Sequence, residues 1–104
     1  MSTTNDMKTY VILRRNGWSA PGDLEAAAAK SGDVGDNEMS EDIRWIRSYV
    51  LAEASGDLGT VCIYQASSPE KVREHAQRAG LPADEVIEVA DVVLVRPDPV
   101  PATV

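Results

Sequence analysis

Four stretches of the chain combine β-branched or aromatic residues with an alternating or continuous apolar pattern, and each predicts a strand. They cover residues 8–15, 43–54, 58–66 and 85–95. Turn-forming residues follow the first two stretches, at Asn16-Gly17 and at Ser55-Gly56-Asp57. The last stretch is rich in valine throughout, which predicts a strand over its full length.

Two helices are predicted between these strands. The first begins near Pro21 and Asp23 and continues through the alanine-rich stretch 24–30, while the acidic stretch 31–42 fits either a frayed helix or a loop. The second begins at Ser67-Ser68-Pro69 and ends at Gly80, which are typical capping residues. Four of its residues share one face: Val72, His75, Ala76 and Ala79.

The order β-α-β-β-α-β predicts an α+β domain of the ferredoxin-like class, a four-stranded antiparallel sheet with two helices on one face. At 104 residues the chain has room for one such domain. We assign it to residues 8–96. Residues 1–7 are predicted to form a disordered N-terminal tail, and residues 97–104 a proline-rich C-terminal tail.

The second sheet face, which no helix covers, is predicted to be apolar. In the second strand the pattern directs Ile46, Ser48 and Val50 towards the helices and Trp45, Tyr49 and Leu51 to the open side. Such a face exceeds the roughly 300–600 Å² apolar patch of a typical monomer. A homodimer through the open face is therefore predicted. A C-terminal tail folded over the sheet, alone or together with a dimer, is the alternative.

Charge and composition exclude several classes of partner. The formal net charge of −7 argues against nucleic acid, whose phosphates require clustered Lys and Arg. No apolar run approaches the roughly 20 residues needed to span a bilayer, and residues 1–7 do not resemble a signal peptide, so we expect no membrane partner and a cytoplasmic location. Cys62 is the single cysteine, which excludes an intrachain disulfide and predicts a small apolar side chain within a strand.

His75 is the single histidine and the candidate metal ligand. A packing role with one hydrogen-bond partner is the alternative. Since one imidazole does not make a metal site, a bound metal would need carboxylates, Cys62, backbone atoms or a second copy of the chain as further ligands.

Arg47 is the candidate anchor of a ligand site on the sheet. An arginine among aromatic rings on an apolar face needs an anion, a carboxylate or a ring to offset its burial. The predicted ligand-binding residues are Arg47, Trp45, Tyr49 and Tyr64. An ion pair with Glu53, or with a carboxylate across the dimer, is the structural alternative. No nucleophile elbow, phosphate loop or Cys-x-x-Cys motif is present, and no catalytic residue is predicted.

From Tyr10 to Val89 the chain resembles a family of small bacterial proteins that is known as a domain of unknown function and described as nickel-binding. The matching blocks are Tyr10 to Ile12, Trp45 to Val50, Val61 to Ala66, Val72 to Ala83 and Val86 to Val89. The resemblance implies a ferredoxin-like fold, a dimer and nickel as the cofactor. Family members typically carry a histidine where this chain has Arg47, while His75 is kept. A cation at that position is expected to weaken a transition-metal site.

The sequence thus predicts a small dimeric binding protein, rather than an enzyme, with a metal ion or an anion held near His75 and Arg47. A dimeric α+β-barrel enzyme, such as a monooxygenase or an isomerase, is the first alternative. It would need an enclosed cavity of roughly 300 Å³ or more at the sheet. A structural accessory subunit, the second alternative, would fill that space with side chains.

Overall fold

A computed structural model describes residues 7–99 of the chain. Residues 1–6 of the predicted N-terminal tail and residues 100–104 of the predicted C-terminal tail lie outside the described residues. The elements are β1 (Lys8–Trp18), α1 (Pro21–Asp33), a π-helical segment (Val34–Glu38), β2 (Ile43–Ala52), β3 (Leu58–Ala66), α2 (Pro69–Ala79) and β4 (Glu85–Glu88).

The four strands form one antiparallel sheet in the order β2-β3-β1-β4. Both helices lie on one face of this sheet, because Tyr64 of β3 contacts Ser31 of α1 and His75 of α2. The predicted ferredoxin-like α+β class is therefore confirmed. Within residues 7–99, neither helix has the length and apolar character of a membrane span.

The second helix begins and ends where the sequence predicts. The Ser68 side chain accepts a hydrogen bond from the Lys71 backbone N–H at 3.2 Å, and Gly80 ends the helix with a φ of 71°, a left-handed conformation that favours glycine. Its four predicted inward residues are all buried. The ambiguous stretch 31–42 is helical as far as Glu38 and continues as a turn.

The predicted turn at Asn16-Gly17 is wrong, because β1 continues through it to Trp18. The pairing with β3 changes register between Arg14 and Trp18, and Asn16 has a φ of 53°. Asn16 and Gly17 therefore form part of a β-bulge within the strand, and the strand does not end there.

The last strand is much shorter than predicted and ends at Glu88. It pairs with β1, which begins at Lys8, and among residues 7–99 no strand lies beside the residues after Val89. Strand propensity alone does not maintain an extended chain as a strand without a partner. The run from Val92 to Val95 is instead 66–88% exposed.

A bulge in β2 changes the predicted faces of this strand. Trp45 pairs with Tyr64 but Arg47 pairs with Ile63, so Ile46 is the additional residue. Directly paired residues point to the same side of a sheet. Trp45 therefore faces the helices, and the prediction that it shares a face with Tyr49 is wrong.

Candidate functional site

The four predicted ligand-binding residues are divided between the two faces of the sheet. Trp45 and Tyr64 lie on the helix side, where their rings stack in parallel with centroids 6.0 Å apart. Arg47 and Tyr49 lie on the open side, since they pair with Ile63 and Val61. No single ligand site can include all four side chains.

On the open face, Arg47 and Tyr49 bind the carboxylate of Asp98. The Tyr49 hydroxyl donates to Asp98 Oδ2 at 2.5 Å, and Arg47 Nη1 donates to the same oxygen. These two donors lower the pKa of Asp98 below its ordinary value. Glu53, the alternative partner predicted for Arg47, instead pairs with Arg15 at 2.8 Å. The C-terminal segment therefore contacts the open face at Asp98.

His75 is buried under α1, on the opposite side of the sheet from Arg47. Its side chain is 1% exposed, and Nε2 donates to the Ser31 carbonyl at the end of α1 over 3.0 Å. The ring is tilted against Tyr64 with centroids 5.2 Å apart, and Nδ1 has no hydrogen-bond partner in the described chain. Between residues 7 and 99, no group of three or more His, Cys, Asp and Glu side chains is placed to hold a metal ion.

A cavity of about 100 Å³ lies on the helix side of the sheet, under α1. Its lining is mostly apolar. The residues from α1, β2 and the segment after α2 include Leu24, Ala27, Ala28, Trp45, Val50 and Leu81. Polar groups come from Arg14, Thr60, Cys62 and Tyr64 of the central strands and from Ser31 and Ser48 beside them. The cavity therefore combines apolar walls with a small number of polar groups, as small-molecule sites do.

Arg14 is the charged residue of this cavity. It is 1% exposed, Nε donates to the Pro82 carbonyl at 2.6 Å, and Nη1 donates to Cys62 Sγ at 3.2 Å. Neither acceptor is a carboxylate, and Arg14 forms no salt bridge with a carboxylate of the described chain. Beside it, Thr60 Oγ1 is buried without a hydrogen-bond partner among these residues. Buried polar groups normally have partners, so this pair is an unusual feature.

Comparisons with known proteins agree with this fold. The family described as "Nickel responsive protein SCO4226-like" matches residues 10–89. The chain belongs to this nickel-responsive family. It is also similar to the crystal structure of SCO4226 from Streptomyces coelicolor A3(2), with a TM-score of 0.65 and 23% identity over 82% of this chain and 99% of that chain. No protein with a curated description matches the sequence. The resemblance predicted over the same residues is confirmed.

Within this family fold, the sequence prediction did not include Arg14 and Thr60. The signal for Arg14 was present, because strand alternation places it on the same face as the buried Tyr10 and Ile12. Alternation likewise places Thr60 on the same face as the buried Cys62 and Tyr64, but it does not show which residue lies opposite. Thr60 comes to lie directly opposite Arg14 only when β3 pairs with β1.

Burial of His75 predicts a loss of stability in acid. Desolvation, with a smaller effect from the Arg14 charge, lowers the pKa of His75 below its ordinary value of 6.5. The unfolded chain therefore binds a proton more readily, so stability is complete above pH 6.5 and falls as the pH decreases towards the folded pKa. The slope is at most about 1.4 kcal/mol per pH unit.

Urea unfolding at pH 7.5 and pH 5.5 measures this effect. His75→Gln is the matched variant, because it has no proton to gain in this range. We expect the difference in unfolding free energy between the two pH values to be smaller in the variant. An equal difference in both proteins would show that other groups cause the acid sensitivity.

Proposed function

We propose that this chain is a small homodimeric binding protein that holds a small ligand in the cavity under α1. The observation that carries the proposal is the cavity itself, in which apolar walls surround the buried polar groups of Arg14 and Thr60. Such a combination is typical of sites that orient a small molecule with a few polar contacts.

The size of the cavity favours a binding protein over the two alternatives. Its volume of about 100 Å³ is below the roughly 300–1,000 Å³ of typical small-molecule pockets, so only a ligand of a few heavy atoms fits. An α+β-barrel enzyme would use a larger enclosed space on the open face. A structural accessory subunit has no need of a cavity at all.

The open face supports the homodimer. Its central positions are apolar, and its pairing register brings Val11 and Leu13 of β1 beside Ile63 and Val61 of β3. At the sides of these strands, Tyr49 and Ile87 are 45% and 46% exposed. A second copy would bury this surface, together with the C-terminal segment that contacts it at Asp98, through one self-complementary contact.

Filling the cavity tests the ligand site. Ala28 lines the cavity, so Ala28→Leu is expected to abolish binding of small probes, whereas Ala29→Leu, on the exposed side of α1, is the matched control. The probes are n-butanol and sodium butyrate. Their binding is measured by NMR, from the changes in amide chemical shift at residues that line the cavity. We expect saturable shifts in the unaltered protein and in Ala29→Leu only. If neither probe causes saturable shifts, or if the shifts persist in Ala28→Leu, the cavity is not the ligand-binding site.

Metal binding is the second candidate, favoured by the description of the family as nickel-responsive. His75 and Arg47 lie on opposite sides of the sheet in this chain, so a metal near position 47 would need ligands from the open face. The closest carboxylate there is Asp98, which Arg47 already binds.

A further inference from the structure

We propose that the ligand of the cavity is a short monocarboxylate whose carboxylate binds Arg14 and Thr60. This inference rests on the proposed binding function and assigns the chemical class of the ligand. The geometry that carries it is the position of two buried, incompletely partnered donors side by side at one wall of a largely apolar cavity.

Arg14 supplies the positive charge. Its guanidinium is buried without a carboxylate from the described chain, and a buried charge is costly unless it is paired. Two of its nitrogens are held by Pro82 and Cys62, which fixes the orientation of the planar group. Within residues 7–99 its hydrogen bonds run from Nε and Nη1, and the guanidinium also lies beside the Tyr64 hydroxyl, whose pKa it acts to lower; Nη2 is the nitrogen that can donate to a ligand. Arginine is well suited to carboxylates because its fork matches their geometry.

Thr60 supplies the second donor. It is 4% exposed, it lines the cavity, and its Oγ1 has no partner in the described residues. Arg14 and Thr60 are direct partners in the pairing of β1 with β3, so their Cβ atoms lie about 5 Å apart on the same face. One carboxylate can therefore accept hydrogen bonds from both side chains: one of its oxygens accepts from Arg14 and the other from Thr60.

The apolar walls define the rest of the ligand. Leu24, Ala28 and Leu81 can surround a short aliphatic chain, and the volume of about 100 Å³ excludes a long one. An inorganic oxyanion such as phosphate would turn several oxygens towards these walls without hydrogen bonds, which is unfavourable. The lining therefore favours a carboxylate with a short apolar tail over a fully polar anion.

Isothermal titration of the full chain with three probes tests the class of ligand. Sodium butyrate carries both features, n-butanol has the tail without the charge, and inorganic phosphate has the charge without the tail. We expect butyrate to bind about tenfold or more tightly than n-butanol, the effect of a charged hydrogen bond, and phosphate to show no saturable binding.

Each other result has a definite meaning. If neither butyrate nor n-butanol binds, the proposed function itself is wrong. If n-butanol binds as tightly as butyrate, the cavity binds ligands but the carboxylate assignment is wrong. If phosphate binds and butyrate does not, the site takes an inorganic anion and the monocarboxylate is excluded.

Arg14→Met removes the charge and keeps much of the side-chain length. It is expected to lower butyrate affinity about tenfold or more while n-butanol binds as before. Arg73→Met, on the exposed side of α2, makes the same change in net charge and should leave butyrate binding unchanged. Unchanged butyrate affinity in Arg14→Met would overturn the proposal.

Thr60→Val is the second variant, and it is decisive if Arg14→Met does not fold. Valine keeps the shape of threonine and removes a hydroxyl that has no partner among residues 7–99, so the fold should persist. We expect a severalfold loss of butyrate affinity. If affinity stays the same, Thr60 does not contact the carboxylate and the two-donor site is wrong.

Discussion

Replacing Ile63 with arginine is expected to prevent formation of the homodimer proposed above. Ile63 lies near the centre of the open face, in β3, with Val11 on one side and Arg47 on the other. A dimer through this face would bury two added guanidinium groups, one from each copy. Burial of each unpaired charge costs several kcal/mol, and a dimer of micromolar affinity has only about 8 kcal/mol of binding free energy.

Sedimentation velocity at micromolar concentration measures this change. Gln77→Arg is the control, because it adds the same charge to the exposed surface of α2, away from the sheet. It should sediment as the unaltered protein does. A stable monomer already in the unaltered protein, at the same concentration, would show that the open face is not a dimer interface.

Replacing Arg47 with histidine is expected to create or strengthen nickel binding. The substitution removes a cation from the open face and leaves Tyr49 as the remaining donor to the Asp98 carboxylate. It also places an imidazole, a favourable nickel ligand, beside that carboxylate. We expect the unaltered protein to bind nickel only as scattered surface carboxylates do. The variant should bind nickel at least about tenfold more tightly, because substitutions around a metal site typically change metal affinity by about this factor or more.

Titration of both proteins with nickel chloride, without a histidine tag, measures this difference. Arg44→His is the matched control, since Arg44 is also exposed on β2 but contacts Gln65 rather than a carboxylate. Equal affinity in Arg44→His and Arg47→His would mean that any added imidazole suffices. Stoichiometric, submicromolar binding by the unaltered protein, lost in His75→Ala, would instead establish a metal site at His75.

The order of the elements, the class of fold and the ends of α2 were determined by the sequence itself. Ser68, Pro69 and Gly80 act through local backbone geometry, which depends only on the residue and its near neighbours. The span of β3 follows in the same way from its residue types. The resemblance to the nickel-responsive family over residues 10–89 was likewise visible in the sequence.

Only the tertiary structure decided which side chains meet. The bulge at Ile46 places Trp45 on the helix side, where its ring stacks on Tyr64, so Trp45 is not part of the open face. The last residue of β4 depended on where β1 begins, because β4 pairs with β1. Arg14 and Thr60 became neighbours because β1 and β3 pair in one particular register. Register is a property of two strands together, and a one-residue shift reverses every face, so no single segment contains this information.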